Sequence, residues 1–176
     1  MNSNKSVTAR FDATTLSVSL SASPSSGTAP LNDVDLTANV SGTATGNITY
    51  RFDCTNNGTW EHIQTTSADP YTASNLCDYS SPGTYTAKVR VERGGLTAED
   101  TVTISVGIPT YTLSVSKTGS GSGTVTSSPS GINCGSDCSE SYNQGTTVTL
   151  TATPGSGSVF VGWSGACSGS STTCTI

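Results

Sequence analysis

The amino-acid sequence predicts an all-β protein with two β modules in series. Val and Thr alternate in many short runs, and this period of two is typical of half-buried β-strands. Only 11% of the residues are charged and the chain is not rich in Pro, so it lacks the composition of a disordered protein. Because only 32% of the residues are hydrophobic, we expect the modules to fold around thin cores.

Alternating runs define the strands of the first module, which we place at residues 12–107. The segment between Cys54 and Ser81 reads as a polar loop, with His62 at the surface. About seven short strands over about 95 residues predict an immunoglobulin-like sandwich. The expected inward positions are Leu16, Val18, Leu20 and Ala22; Val34, Leu36, Ala38 and Val40; Ile48, Tyr50, Phe52 and Cys54; Tyr85, Ala87, Val89 and Val91; and Val102, Ile104 and Val106.

The second module, at residues 108–176, follows a short linker that Pro109 stiffens. About 65 residues with few large side chains make a marginal core, which two local disulfides would offset. Strands are predicted around Tyr111–Val115, Thr124–Thr126, Val148–Ala152 and Val159–Trp163, and in the last residues of the chain.

Six cysteines fall in three close pairs along the chain. An even count in a chain rich in Ser and Thr favours disulfides, and hence an extracellular or cell-surface location. Six cysteines allow 15 pairings, and proximity favours three local ones. Zinc is disfavoured because its ligands usually come as two close pairs with a spacing such as C-x2-C, and this sequence has no such pairs. The favoured pairs are Cys54 with Cys77, Cys134 with Cys138, and Cys167 with Cys174.

The two ends of the chain resemble two halves of one sheet. The chain stops at Ile176 in the middle of a strand pattern, and Lys5–Phe11 is a lone alternating run with Val7, Ala9 and Phe11 on one face. Joined head to tail, the ends read as strand, polar turn and strand, which is a hairpin pattern. We therefore expect residues 1–11 to complete the second module of an identical subunit or adjacent repeat. Two alternatives are a strand that folds back on its own chain and an idle remnant of a preceding repeat.

Residues 15–107 resemble a polycystic-kidney-disease (PKD) domain, an immunoglobulin-like module of surface proteins and secreted enzymes. The resemblance lies in the opening Ser23–Leu31, the centre Tyr50-Arg51-Phe52-Asp53 and the ending Pro82–Val89. The family's usual W-x-F-G-D-G is replaced here by Tyr50-x-Phe52-Asp53-Cys54 and a longer loop. The resemblance therefore implies a disulfide-bearing variant of that domain.

Residues 110–176 resemble the bacterial internalin-type B-repeat, which occurs in arrays on surface proteins. That family ends with a strand of the form K-S-V-T-A-x-F, which in this sequence stands at Lys5–Phe11 instead of after Ile176. The resemblance thus supports the expectation of a domain completed from outside. The motifs that carry it are Tyr111–Val115, Gly121–Val125, Ile132-Asn133-Cys134-Gly135, Val148–Pro154 and Gly162-Trp163-Ser164-Gly165.

One loop of the first module has the spacing of a weak calcium site. Oxygen-bearing side chains occupy positions 1, 3, 5 and 9 of an EF-hand-like pattern, with Gly58 at position 6, but the twelfth position is Gln64 instead of Glu. The alternative is a polar turn tied down by the neighbouring disulfide. The candidate ligands are Asp53, Thr55, Asn57, Thr59 and Glu61. No other cofactor is expected.

Composition and motifs exclude several function classes. The net charge of −5 disfavours nucleic acid, and no run of 18 apolar residues predicts membrane insertion. His62 is the only histidine and no G-x-S-x-G motif accompanies it, so we expect no enzyme activity. We expect a structural repeat unit of a surface fibre or adhesin. The alternatives are a carbohydrate-binding accessory of a secreted hydrolase, with surface polysaccharide as its partner, and a plain spacer.

Overall fold

The computed structural model describes residues 6–176, and within these residues the protein contains β-strands and no helix. The chain divides into two compact units between Gly107 and Ile108, and each unit is described by itself. The predicted all-β class, a sandwich followed by a small disulfide-bonded β domain, is confirmed.

The first unit contains eight strands in two sheets. One sheet has the order β1-β3-β6, and the other has the order β2-β8-β7-β4-β5. All pairings are antiparallel except that of β2 with β8. The strands are β1 (Leu16–Ser23), β2 (Ser26–Thr28), β3 (Leu31–Gly42), β4 (Ile48–Asp53), β5 (His62–Thr66), β6 (Tyr71–Tyr79), β7 (Gly83–Arg93) and β8 (Leu96–Gly107).

The core of this unit lies between the two sheets and is built from the inward positions of the alternating runs. Tyr50 and Phe52 are fully buried, and the Tyr50 hydroxyl donates a hydrogen bond to the carbonyl oxygen of Ala68 at 2.9 Å. The outward positions are mostly Ser and Thr, whose hydroxyls pair across neighbouring strands. Examples are Thr37 with Thr72 and Thr49 with Thr65, at 2.8 and 2.9 Å. Such cross-strand pairs stabilise a sheet whose outer face is polar.

The prediction of a polar loop between Cys54 and Ser81 was wrong, because β5 and β6 lie in it. His62, expected in a surface loop, is half-buried in β5, and its Nε2 lies 2.8 Å from the hydroxyl oxygen of Tyr71. In β6 the period of two is broken near Asn75, which has a positive φ of 52°. The ladder between β3 and β6 also carries register shifts at this point. Tyr71 and Ala73 before it and Cys77 and Tyr79 after it face the core, whereas Asn75 between them is exposed.

The second unit contains five strands in two small sheets. One sheet has the order β10-β12-β13, and the other pairs β9 with β11. Val125, Val148, Leu150 and Ala152 form its small apolar core together with two disulfides. The strands are β9 (Thr110–Ser114), β10 (Gly123–Ser128), β11 (Ser139–Asn143), β12 (Thr149–Pro154) and β13 (Thr173–Thr175).

The strand predicted at Val159–Trp163 is not formed. Phe160 and Trp163 pack against the core, while Val159 and Val161 are 82% and 84% exposed. The Trp163 backbone N–H bonds to the carbonyl oxygen of Gly169 at 2.8 Å, so this segment makes an isolated bridge instead of a ladder. The two aromatic side chains therefore face the core and the two valines face solvent, which no strand alternation would produce.

Two buried tyrosines make the first unit sensitive to alkaline pH. Burial raises the pKa of both Tyr50 and Tyr79 to about 12, so the folded state holds these protons more tightly than the unfolded state does. Their contribution to stability is complete below pH 10 and is lost as the pH rises through about 12.

We expect urea unfolding at intervals from pH 9 to 12 to show this loss of stability. The variant Tyr79→Phe has no such proton and loses less stability over that range, whereas Tyr111→Phe, an exposed tyrosine in the second unit, matches the wild type. Equal losses in Tyr79→Phe and wild type would contradict the assignment.

Candidate functional site

The loop after β4 is organised by one buried carboxylate. Asp53 is fully buried, and its Oδ1 accepts hydrogen bonds from the backbone N–H groups of Thr55 and Asn57 at 3.0 and 3.2 Å. Its Oδ2 accepts from the N–H of Gly58 at 2.7 Å. Asn57 continues the pattern, because its Oδ1 accepts from the N–H of Thr59 at 2.7 Å. A buried carboxylate with three donors is satisfied without a counter-ion.

The same loop is tied to the disulfide between Cys54 and Cys77. Glu61 Oε2 accepts from the N–H of Cys54 at 2.8 Å, and the Tyr79 hydroxyl donates to the Cys54 carbonyl oxygen at 2.8 Å. The five candidate calcium ligands thus lie in one loop, but both of their carboxylates face backbone amides. No group of three or more His, Cys, Asp or Glu side chains within residues 6–176 is placed to hold a metal ion. Calcium binding stays a prediction.

The cysteines form three disulfides, and these are the three local pairs that proximity favoured. They join Cys54 to Cys77, Cys134 to Cys138 and Cys167 to Cys174. The first links the end of β4 to β6 and so connects the two sheets of the sandwich. The other two close short loops in the second unit, whose core is small.

The aromatic side chains mostly fill cores. Trp163 packs beside Phe160 with ring centroids 5.0 Å apart, and its Nε1 donates to the carbonyl oxygen of Ser171 at 2.8 Å. Trp60 is half-buried. Among the aromatic residues that the structure describes, the strongly exposed ones are Phe11 and Tyr111, and they belong to different units. They do not form a row on one sheet.

The leading segment has no partner strand among residues 6–176. Residues 6–15 form no strand, and Val7 and Phe11 are 95% and 92% exposed. The side-chain contact found for residues 6–11 is the local pair of Arg10 with Asp12 at 3.0 Å. Lys5, where the predicted strand begins, and the turn before it lie outside the described residues. The expected strand is therefore not formed within one copy, and its intermolecular role stays a prediction.

The last strand of the second unit has a free edge. Ile176 and Val148 exchange two backbone hydrogen bonds of 2.9 Å each. Because bonded and non-bonded pairs alternate in an antiparallel ladder, the N–H and C=O groups of Thr173 and Thr175 point away from β12. The N–H of Thr173 reaches only the Ser171 hydroxyl, at 3.3 Å. Within residues 6–176 no acceptor faces the N–H of Thr175.

An apolar groove of about 250 Å³ opens beside this edge. Ile176 links the two features, because it ends the β13 edge and also lines the groove while 43% exposed. The sequence pattern indicates Ile176 but not the rest of the groove, because the other walls come from strands far apart in the chain. The apolar walls are Tyr111, Leu113, Tyr142, Val148 and Ile176.

The comparisons with known proteins support the assignment of the second unit. Residues 111–176 match the family model described as a divergent InlB B-repeat domain. The second unit is therefore similar to that repeat domain. No curated protein matches the chain.

Among residues 6–176, the structure contains no helix of the length and apolar character that a membrane crossing requires.

Replacing the buried carboxylate tests how the loop after β4 is held. An amide at position 53 has one acceptor oxygen and no charge, so we expect Asp53→Asn to lower the free energy of unfolding by about 1.5–3 kcal/mol. Asp12→Asn is the matched control, because Asp12 is exposed and its bond among residues 6–176 is the surface pair with Arg10.

Urea unfolding in EDTA and in calcium completes this test. An equal loss in both buffers shows that backbone donors hold the loop, and stabilisation of the wild type by calcium alone would support the predicted ion. An Asp53→Asn variant as stable as wild type would contradict the role given to this carboxylate.

Proposed function

We propose that the chain is a structural repeat unit of an extracellular or cell-surface fibre or adhesin. In this proposal, Lys5–Phe11 of one unit completes the β13 edge of the second unit of an identical subunit or adjacent repeat. One observation carries it: the part of the chain that the structure describes has both an alternating apolar segment without a partner and an open strand edge beside an apolar groove. Strand addition to an open edge is a common mode of recognition.

The segment and the edge are chemically complementary. Val7, Ala9 and Phe11 present one apolar face, and Ser6, Thr8 and Arg10 present a polar one. The β13 edge likewise has Cys174 and Ile176 towards the core, while Thr173 and Thr175 face solvent. Burying Val7 and Phe11 would contribute about 1.5–3 kcal/mol each, in addition to the backbone hydrogen bonds.

The order of these features along the chain favours an open-ended assembly. The segment precedes the strands of the first unit and the acceptor edge lies in the second unit, so contact between two copies uses different surfaces. Head-to-tail contacts of this kind form filaments when the rotation between copies does not close a ring. The same contact would join adjacent repeats of one long polypeptide.

The first unit serves as a spacer in this proposal, and we assign it as a PKD-like variant. Support comes from the sandwich fold and from the buried Tyr50 and Phe52 at the centre of the resemblance. The extracellular location is supported by three disulfides and by the similarity of the second unit to a B-repeat.

Removing the apolar face of the segment tests the proposal. We expect the purified chain to form filaments or longer oligomers, and Val7→Ser/Phe11→Ser to remain monomeric in sedimentation and electron microscopy. Both side chains are more than 90% exposed in one copy, so the substitutions leave the fold intact. Ser6→Ala/Thr8→Ala changes the polar face only and is the matched control.

Deletion of residues 1–11 gives the decisive result. Filaments that persist in this variant would show that the segment does not join the units and would overturn the proposal.

A further inference from the structure

A second strand edge of the second unit is also free. The Gln144 N–H bonds to the Pro109 carbonyl oxygen and the Val115 N–H to the Cys138 carbonyl oxygen, both at 2.8 Å. By the alternation of an antiparallel ladder, the backbone groups of Tyr111 and Leu113 point to β11. Those of Thr112 and its alternate neighbours, Thr110 and Ser114, point away from β11, and no acceptor within the described residues faces their N–H groups.

The two free edges run in opposite directions. Tyr111, near the start of β9, and Ile176, at the end of the β13 edge, line the same groove. Val115 follows β9 and lies at the end of that edge away from the groove. Its carbonyl oxygen is 3.7 Å from Cys134 Sγ. A series of backbone contacts then leads from Cys134 across the sheet to the start of β13. The Cys134 N–H bonds to Val125, Val125 is opposite Ala152, and the Ala152 N–H bonds to Thr172 before β13.

On the basis of the proposed function, we propose that the segment of a second copy is a bridging strand. It enters between β13 and β9, antiparallel to β13 and parallel to β9. The two sheets of the second unit then become one, with the order β11-β9-segment-β13-β12-β10. The segment thus uses both of its backbone edges, whereas addition to β13 alone would use only one.

Pairing with β13 determines which backbone groups of the segment point to β13 and which point to β9. Directly opposite residues in an antiparallel pair share a face of the sheet, so the apolar Val7 and Ala9 lie opposite Ile176 and Cys174. Thr8 then lies opposite Thr175, whose N–H and C=O point outwards, and these two residues exchange hydrogen bonds. Consequently the backbone groups of Val7 and Ala9 point the other way, towards β9.

The β9 side accepts these groups in the parallel orientation only. In a parallel ladder, a residue bonds to the two neighbours of the residue opposite it, so Ala9 opposite Leu113 would bond to Thr112 and Ser114. The side chains of Ala9 and Leu113 then lie on the same, apolar face of the sheet. In an antiparallel ladder Ala9 would have to lie opposite Thr112, whose side chain is on the solvent side. Parallel pairing is also the direction that the opposed β9 and β13 require.

The groove and the polar residues of the segment limit the register. Placing Val7 opposite Ile176 puts an apolar side chain among Tyr111, Leu113 and Val148, and it sets Ala9 against Cys174 and Phe11 against Thr172. A shift of one residue turns the polar face towards the core. A shift of two residues towards the N-terminus of the segment puts Lys5 into the apolar groove.

N-methylated peptides test the bridge, because a methyl group blocks one backbone donor at a time. The probe is a synthetic peptide of residues 3–13, bound to a chain without residues 1–11. That deletion removes no strand and no core residue among those described. We expect methylation at Thr8, which faces β13, and at Ala9, which faces β9, each to weaken binding about tenfold or more. Methylation at Asp12, beyond the paired residues, is the control.

Each outcome is decisive. If N-methyl-Ala9 peptide binds as well as unmodified peptide while N-methyl-Thr8 peptide does not, the segment adds to β13 alone and the bridge is wrong. If neither methylation matters, backbone pairing is absent and the bridge is again wrong. If unmodified peptide fails to bind, the proposed function fails as well.

Amide hydrogen exchange gives an independent measurement on the protein side. We expect peptide binding to slow exchange at Thr112 and Thr175, on the two free edges. The Ser141 amide points to the far edge of β11, where it bonds to Glu140 Oε1 at 2.8 Å, and is unchanged. Protection of Thr175 without Thr112 would overturn the bridge and leave strand addition in place.

Discussion

The need of every strand edge for hydrogen-bond partners governs this protein more than its thin cores do. In the first unit, aspartates meet several backbone amides that have no strand partner. Asp100 accepts from Leu20 at 2.8 Å and Asp69 from Val40 at 2.9 Å. In the second unit, the free groups of β9 and β13 are flanked by Thr and Ser side chains, and no carboxylate caps them. Side-chain carboxylates thus accept from free backbone amides in the first unit, whereas the edge groups of β9 and β13 in the second unit stay open. This difference is the basis of the proposed assembly.

The sequence could predict the inward faces because period two is a direct consequence of strand geometry. Runs such as Val34 to Val40 and Ile48 to Cys54 are buried as alternation requires. Failures occur where another interaction competes with the period. The irregularity at Asn75 interrupts the alternation of β6. In the edge strand β5 the apolar Ile63 is 54% exposed, so apolar residues do not mark its buried face. In the segment from Val159 to Trp163, the aromatic rings are buried in preference to the valines.

The candidate site was only half visible in the sequence. Val7, Ala9, Phe11 and Ile176 follow from alternation, and each belongs to one continuous run. The groove wall and the β9 edge do not, because Tyr111 and Val148 meet only after the chain folds. Which residues of β9 and β13 point their backbone N–H and C=O groups to the free edge depends on the register of each ladder, and the sequence pattern does not reveal that register. The Asp53 loop gives a similar lesson: its spacing fits an ion, while its folded geometry directs the carboxylate to backbone donors.

The opposite directions of β9 and β13 have a mechanical consequence for an assembly joined by a bridging strand. The acceptor chain enters its second unit just before β9, at the end of the groove that Tyr111 lines. The inserted segment leaves at the other end, after Phe11, on its way to its own first unit. Tension along the fibre would thus pull the segment and β9 from opposite ends. The bonds between them would be loaded together in shear, not peeled apart one by one, and a short strand can then sustain a large force.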